Sequence, residues 1–220
     1  MPRLSPLNRR DLPDFEPVWT NVERVMGLVP NSMLTMARDP ELLLHFALLS
    51  RTAFGSENAP VSWGDRLRLF WLLAKVHLGL GPRRKDPPLP YELRLLVAAA
   101  VSAAAGCRYC RAHSGYEAAE LGVDAEKLRD LPRFAESPHF SPAERAALDL
   151  AFAAGQVPNA AEDAHFAALR EHFTERQITD LMATIAIMGY LNRWNDTMGT
   201  PLEAAPERWA GANGLAAKPR

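Results

Sequence analysis

The chain of 220 residues contains two cysteines, Cys107 and Cys110, both within "GCRYCRAHSGYEAAELGV", residues 106–123, and His113 follows three positions later. Residues three apart on a helix face the same way, so the two thiols and the imidazole form one stripe with Ser114 beside it. Three chemistries fit that stripe. A dithiol can cycle through a disulfide, with one sulfur attacking and the other resolving. Two thiolates and an imidazole can hold zinc, although a structural zinc site takes four ligands and the next histidine downstream is His139; a three-ligand catalytic site stays open. Finally, two free cysteines can serve as small buried hydrophobes.

The segment before the pair, "LPYELRLLVAAAVSAAAG", predicts a helix from about Tyr91 to Ala105 that ends at Gly106. A second helix is expected from near Cys107 to Gly122. The cysteines then sit at a helix N-terminus, where unsatisfied backbone N–H groups and the helix dipole favour a thiolate. Arg108, Arg111 and a protonated His113 add to that field. Tyr109, between the cysteines, is expected to pack, with its hydroxyl in reach of a substrate.

The rest of the chain reads as helices. Asp39 and Pro40 open "DPELLLHFALLSRTAFG" as N-cap and first residue. Ser141 and Glu144 form a capping box ahead of "ERAALDLAFAAG", and Thr174 and Gln177 do the same ahead of "ITDLMATIAIMGYLNRW". In that last segment Ile178, Leu181, Met182, Ile185, Met188 and Leu191 make a wide apolar stripe, which predicts a core helix. "LNRWND", residues 191–196, concentrates hydrogen-bonding groups at its end, either lining a pocket or bonding the helix terminus. His45, His77, His165 and His172 lie on helical segments with no matching ligand or nucleophile pattern. No run of alternating β-branched residues bounded by turns occurs, so the fold class is all-α.

"GLGPRRKDPPLP", residues 79–90, cannot continue a helix and is read as a linker or surface loop. It separates an N-terminal helical region, residues 1–87, from a core over residues 88–203 and a C-terminal tail over 204–220. Twenty-five Lys and Arg nearly balance 26 Asp and Glu, and the short basic clusters carry no interleaved aromatics, which argues against nucleic-acid binding. The longest apolar run is too short to cross a bilayer, and the first residues resemble no signal peptide. A cytoplasmic protein without a membrane partner is the expectation.

The C-x-x-C pair with its nearby histidine, after "LPYELRLLVAAAVSAAAGC" and before "GYEAAELGVD", resembles the alkylhydroperoxidase D-like branch of the carboxymuconolactone decarboxylase family. The likeness continues through "SPAERAALDLAFAAG" and "LREHFTERQITDLMATIAIMGYLNRWNDTMGTPLE", covering roughly residues 88–203. "GLVPNSMLTMARDPELL" is similar to the N-terminal region of longer, peroxidase-related members. The resemblance implies an all-helical bundle with an N-terminal helical extension that assembles into trimers or multiples of them. It also implies reduction of a hydroperoxide by the dithiol without a cofactor, and re-reduction of the disulfide by a thioredoxin-like or lipoyl-bearing partner.

Carried over by position, Cys110 is the peroxidatic thiol and Cys107 the resolving one, and the cysteine pair argues against lactone-acid decarboxylation. Two positions depart from the family's proton relay. Ser114 stands where a histidine is usual, with His113 beside it, and Leu95 stands where a glutamate is usual. Glu92, one turn earlier, is the candidate substitute, the alternative being a solvated residue at a helix start. A second class of function, a redox-sensing or binding module that uses the pair as a switch, is separated from an enzyme by turnover with a recycling dithiol.

Overall fold

The structure is a computed structural model and describes residues 3–54, 62–78, 80 and 87–215. Among these residues there are eleven α-helices, a few 3-10 turns and no strand. The chain divides into two compact units, Met1–Pro87 and Pro88–Arg220. Most of the loop expected over residues 79–90 lies outside the described residues.

The N-terminal unit contains α1 (Glu16–Met26), α2 (Asn31–Met36), α3 (Pro40–Ala53) and α4 (Trp63–His77). Asp39 caps α3, its carboxylate accepting from the N–H groups of Glu41 and Leu42, as its position before Pro40 predicts. Phe15, Trp19, Met33, Leu43, Leu44 and Leu72 close a small core from all four helices and the turn before α1.

The C-terminal unit is built around α5 (Tyr91–Ala105). Its residues from Leu95 to Ser102 are all buried, because α6 (Arg108–Glu120), α8 (Pro142–Gly155) and α10 (Glu175–Met198) pack around it. Alanines at 98, 99 and 100 let those neighbours approach closely. The short helices α7 (Ala125–Asp130) and α9 (Asp163–Arg170) fill the flanks, and α11 (Ala204–Ala212) packs on α6. The stretch read from sequence as a C-terminal tail is thus helical over 204–212. Its polarity disguised it, since one face meets α6 through charged groups.

An ion cluster fixes the start of α5 against the start of α10. The buried Asp180 carboxylate accepts from Arg94 Nη2 at 2.8 Å and from Arg176 Nε at 3.3 Å. Both capping boxes expected from sequence are formed, at Ser141–Glu144 and at Thr174–Gln177. The α6 helix ends at Glu120 rather than at Gly122.

The buried face of α10 differs from the expected stripe. Ile178, Leu181, Ile185 and Met188 are buried, and the same three-four spacing continues through Asn192 and Asn195. Met182 and Leu191 are only half-buried. On the outer side Ile187, Tyr190, Trp194 and Met198 are exposed.

Candidate active site at the α5–α6 turn

The cysteines are positioned by the way α5 stops. Gly106 takes a left-handed conformation with φ of 75°, which costs a glycine little. Its N–H bonds Ala103 O at 3.2 Å and the Cys107 N–H bonds Ser102 O at 3.0 Å, the two hydrogen bonds of a Schellman motif. The chain therefore reverses within one residue. Cys107 becomes the N-cap of α6 and Cys110 the third residue of its first turn.

Both thiols are buried in this arrangement, Cys107 at 1% and Cys110 at 3% exposure, and both are unbridged. The Cys110 Sγ receives hydrogen bonds from the Cys107 thiol and from Asn195 Nδ2, the latter at 3.3 Å. The second hydrogen of the Asn195 amide bonds Leu191 O at 3.0 Å, which fixes the orientation of that amide. With the Cys107 thiol contributing most, these donors bring Cys110 down to about 7, against burial and the Asp196 charge, which oppose ionisation. Cys107 is pushed upward, chiefly by its hydrogen bond to the Cys110 sulfur and then by burial. The pair is thus polarised. Cys110 is the thiol that ionises as pH passes through about 7, while Cys107 keeps its proton.

His113 lies one turn beyond Cys110 on α6, but its hydrogen-bond partner is across the unit. Its Nε2 is 2.6 Å from Glu203 Oε2, and the Tyr109 hydroxyl donates to Glu203 Oε1 at 3.2 Å. The imidazole also packs on the Tyr109 ring, 4.4 Å between centroids. Glu203 is the N-cap of α11, and its own backbone N–H followed by His113 holds its carboxyl below the usual range. Arg108 closes the same edge with two bonds to Glu207, at 3.0 and 2.8 Å. Deeper along the contact, the Trp209 ring lies directly on Gly115, where a Cβ would overlap it.

Several residues expected to act on the thiols are placed elsewhere. Arg108 is committed to Glu207, so its charge is largely balanced. Arg111 is half-buried, and its pKa is lowered by that burial. Glu92 is exposed in the first turn of α5, about 20 Å of helix away from the turn at Gly106, so the fold does not bring it to the cysteines. Leu95 and Ser114 are buried. Sequence reasoning missed Glu203 because it lies 90 residues from His113, and it took in Asn195 only within residues 191–196, as a pocket-lining or helix-terminal group, without joining it to Cys110. The unbroken three-four spacing from Ile178 was the signal that pointed to Asn195. Among the described residues no group of three or more His, Cys, Asp or Glu is arranged to hold a metal ion. No helix among them is long and apolar enough to cross a membrane.

A cavity of about 1300 Å³ lies behind the turn, between the end of α5, the end of α8 and the outer side of α10. Val101, Ala104 and Ala105 form one wall, and Ile185, Asn192 and Asp196 another, while the exposed Val157 and Trp194 mark its mouth. Asp196 lines this cavity, and its charge opposes ionisation of both cysteines.

A sequence profile described as the carboxymuconolactone decarboxylase family matches residues 69–153. The chain is 30% identical to the uncharacterized protein YnjA of Escherichia coli over 178 residues, 81% of this chain and 94% of that protein. Among solved structures, the debrominase Bmp8 is 31% identical with a TM-score of 0.56, over 96% of this chain and 97% of that one. A cysteine-to-alanine variant of Bmp8 in complex with 2,3,4-tribromopyrrole matches equally well, at 30% identity, a TM-score of 0.56 and 96% of both chains. A protein of unknown function from Agrobacterium tumefaciens, a putative antioxidant defence protein AhpD, shares the fold at 20% identity and a TM-score of 0.51, over 64% of this chain and 92% of that one. The chain belongs to the carboxymuconolactone decarboxylase family.

Proposed function

We propose that this protein is a thiol-dependent oxidoreductase that reduces a hydroperoxide with the Cys107–Cys110 pair. The observation that carries the reading is the polarisation of the pair, with Cys110 drawn down to about 7 by Cys107 and Asn195 while Cys107 is pushed up. A reactive thiol near neutral pH beside a protonated partner is the state a two-cysteine peroxidase needs at the start of its cycle.

In the first step the Cys110 thiolate attacks the terminal peroxide oxygen. The O–O bond breaks, the alkoxide takes a proton, and Cys110 becomes a sulfenic acid. His113, held by Glu203, is the proton source for the leaving alkoxide. In the second step the Cys107 sulfur displaces the hydroxyl from Cys110, water leaves and a disulfide forms. One hydroperoxide and two thiols yield one alcohol, one water and one disulfide. An external dithiol, thioredoxin-like or lipoyl-bearing, must restore the pair. The exposed Ile187, Tyr190, Trp194 and Met198 on α10 favour a homo-oligomer.

The likeness to a debrominase over 96% of the chain favours one further reading, reductive removal of halogen from an aromatic ring by the same thiols. There Cys110 takes the halogen as a sulfenyl halide, the ring carbon takes a proton, and Cys107 displaces halide to form the same disulfide. Steady-state turnover separates the readings. Purified protein is supplied with a recycling dithiol and either cumene hydroperoxide or 2,3,4-tribromopyrrole, and alcohol or bromide is measured. Alcohol formation over many turns supports the peroxidase, and bromide release alone supports the dehalogenase. A single oxidation with neither product accumulating contradicts both and favours a redox switch.

A further inference from the structure

Asn192 is 4% exposed, and neither its Nδ2 nor its Oδ1 has a hydrogen-bond partner. An unpaired amide at that depth is costly, and buried polar groups of native proteins nearly always have partners. Asn195, one turn further along α10, is no candidate, because both hydrogens of its amide are engaged by Leu191 O and Cys110 Sγ. Asn192 lines the cavity behind the thiol turn together with the apolar Val101, Ala104 and Ile185. Water does not reach its amide atoms in the resting structure. The outer torsion of an asparagine side chain is soft, so the amide can turn into the cavity without movement of α10.

We infer that Asn192 is the polar anchor of a small-molecule site in this cavity. Its ligand is a flat, mainly apolar molecule with a hydrogen-bond donor and acceptor side by side, of the lactam or cis-amide class. The asparagine amide presents one acceptor and one NH₂ donor on a common plane, which match such an edge through two parallel hydrogen bonds. The remaining surface of the ligand meets apolar wall, and the stacked Tyr190 and Trp194 rings, 6.1 Å apart, stand at the mouth. Asn192 and Asn195 are separated by about 4.5 Å along the α10 axis, so a ligand held by the first lies beside the residue that touches Cys110. The use of this site to orient a substrate rests on the proposed thiol chemistry. Occupancy of the site does not.

Binding is therefore measured in the Cys107→Ser/Cys110→Ser protein, by calorimetry and ligand-observed NMR. The probes are quinolin-2(1H)-one, which carries the lactam edge, and its N-methyl derivative, which has lost the donor. The lactam is expected to bind at least about 10-fold more tightly, since a site built around a hydrogen bond rejects the analogue lacking it. Asn192→Leu is expected to erase the preference while the N-methyl compound still binds, and to leave the melting temperature unchanged or higher. Gly189→Leu is expected to weaken both probes, because a Cβ there meets nothing nearer than Arg193 Nη1 at 3.8 Å and the side chain enters the cavity. Equal affinity for the two probes, no binding of either, or a preference that survives Asn192→Leu overturns the assignment. Lactam binding in a protein that turns over no thiol substrate removes the proposed function and leaves this site standing.

Discussion

Glu203 Oε2 lies 2.6 Å from His113 Nε2, joining the cap of α11 to the turn of α6 that follows Cys110. Glu203 thus occupies, from the far end of the core, the role of imidazole partner that its position in sequence gives no hint of. The carboxylate orients the imidazole, so the two residues are expected to act as one unit.

His113→Ala should slow the first oxidation step by about 10- to 100-fold, the usual scale for assisted proton transfer. Glu203→Gln keeps a hydrogen bond but removes the charge, and a loss of about 3- to 10-fold is expected. The double variant should be no slower than His113→Ala alone. Stopped-flow rates for the three proteins check this, and additive losses would show that the residues act independently.

The position of Cys110 sets a pH dependence. Its folded value of about 7 lies below the ordinary 9.0, so the rate of the first step should rise with pH, pass half-maximum near 7 and level off above. The linked stability has the same sign. The Cys110 contribution is complete above the ordinary value and is lost as pH falls through about 7. Cys107, raised instead, contributes below the ordinary value and loses that contribution as pH climbs beyond it. Reduced protein should therefore gain stability between pH 7 and about 9 and lose it higher up. Denaturant midpoints for reduced wild type and for Cys107→Ser/Cys110→Ser measure this, and a flat difference between the two counts against the polarised pair.

Asn195→Leu deletes the only side-chain amide donor to Cys110 Sγ among the described residues. The thiol midpoint should move upward and the rate at pH 7 should fall by about 3- to 10-fold, with the plateau at high pH nearly unchanged. Ultraviolet titration of the thiolate follows the midpoint directly. An equal loss at all pH values would assign Asn195 to packing instead.

Two glycines in helices should respond in opposite directions to alanine. At Gly189 the added Cβ meets only Arg193 Nη1, in ordinary van der Waals contact at 3.8 Å, and helix propensity favours the change by roughly 0.5–1 kcal/mol. At Gly115 the same gain is outweighed, because the Cβ overlaps the Trp209 ring and overpacking costs about 1–3 kcal/mol. Thermal unfolding should show Gly189→Ala slightly above wild type and Gly115→Ala below it.

The local grammar of this fold was open to reading in the sequence. Gly106, Asp39 and the Ser141 and Thr174 caps mark helix ends through backbone chemistry that depends on the next few residues only. The cysteine pair was readable for the same reason, since Schellman turn, N-cap and thiols fall within nine positions, 102–110. Glu203, Glu207 and Trp209 were not, because their partners lie about 90 to 100 residues earlier and a polar segment after a core helix reads as a tail. Glu92 was misplaced for the converse reason. Its spacing put it one turn before Leu95 on a similar face, but the rise of the helix carries it to the end of α5 opposite the thiols.

The most direct test of the thiol account is intact-mass and peptide analysis of the two single-cysteine variants after one equivalent of cumene hydroperoxide. Cys107→Ser is expected to gain one oxygen on Cys110, trapped as a dimedone adduct, while Cys110→Ser remains unmodified over the same interval and wild type loses two hydrogens as the disulfide forms. An adduct on Cys107 in Cys110→Ser, with Cys110 silent in the other variant, contradicts the assigned roles, and three unmodified proteins contradict peroxide reduction by this pair.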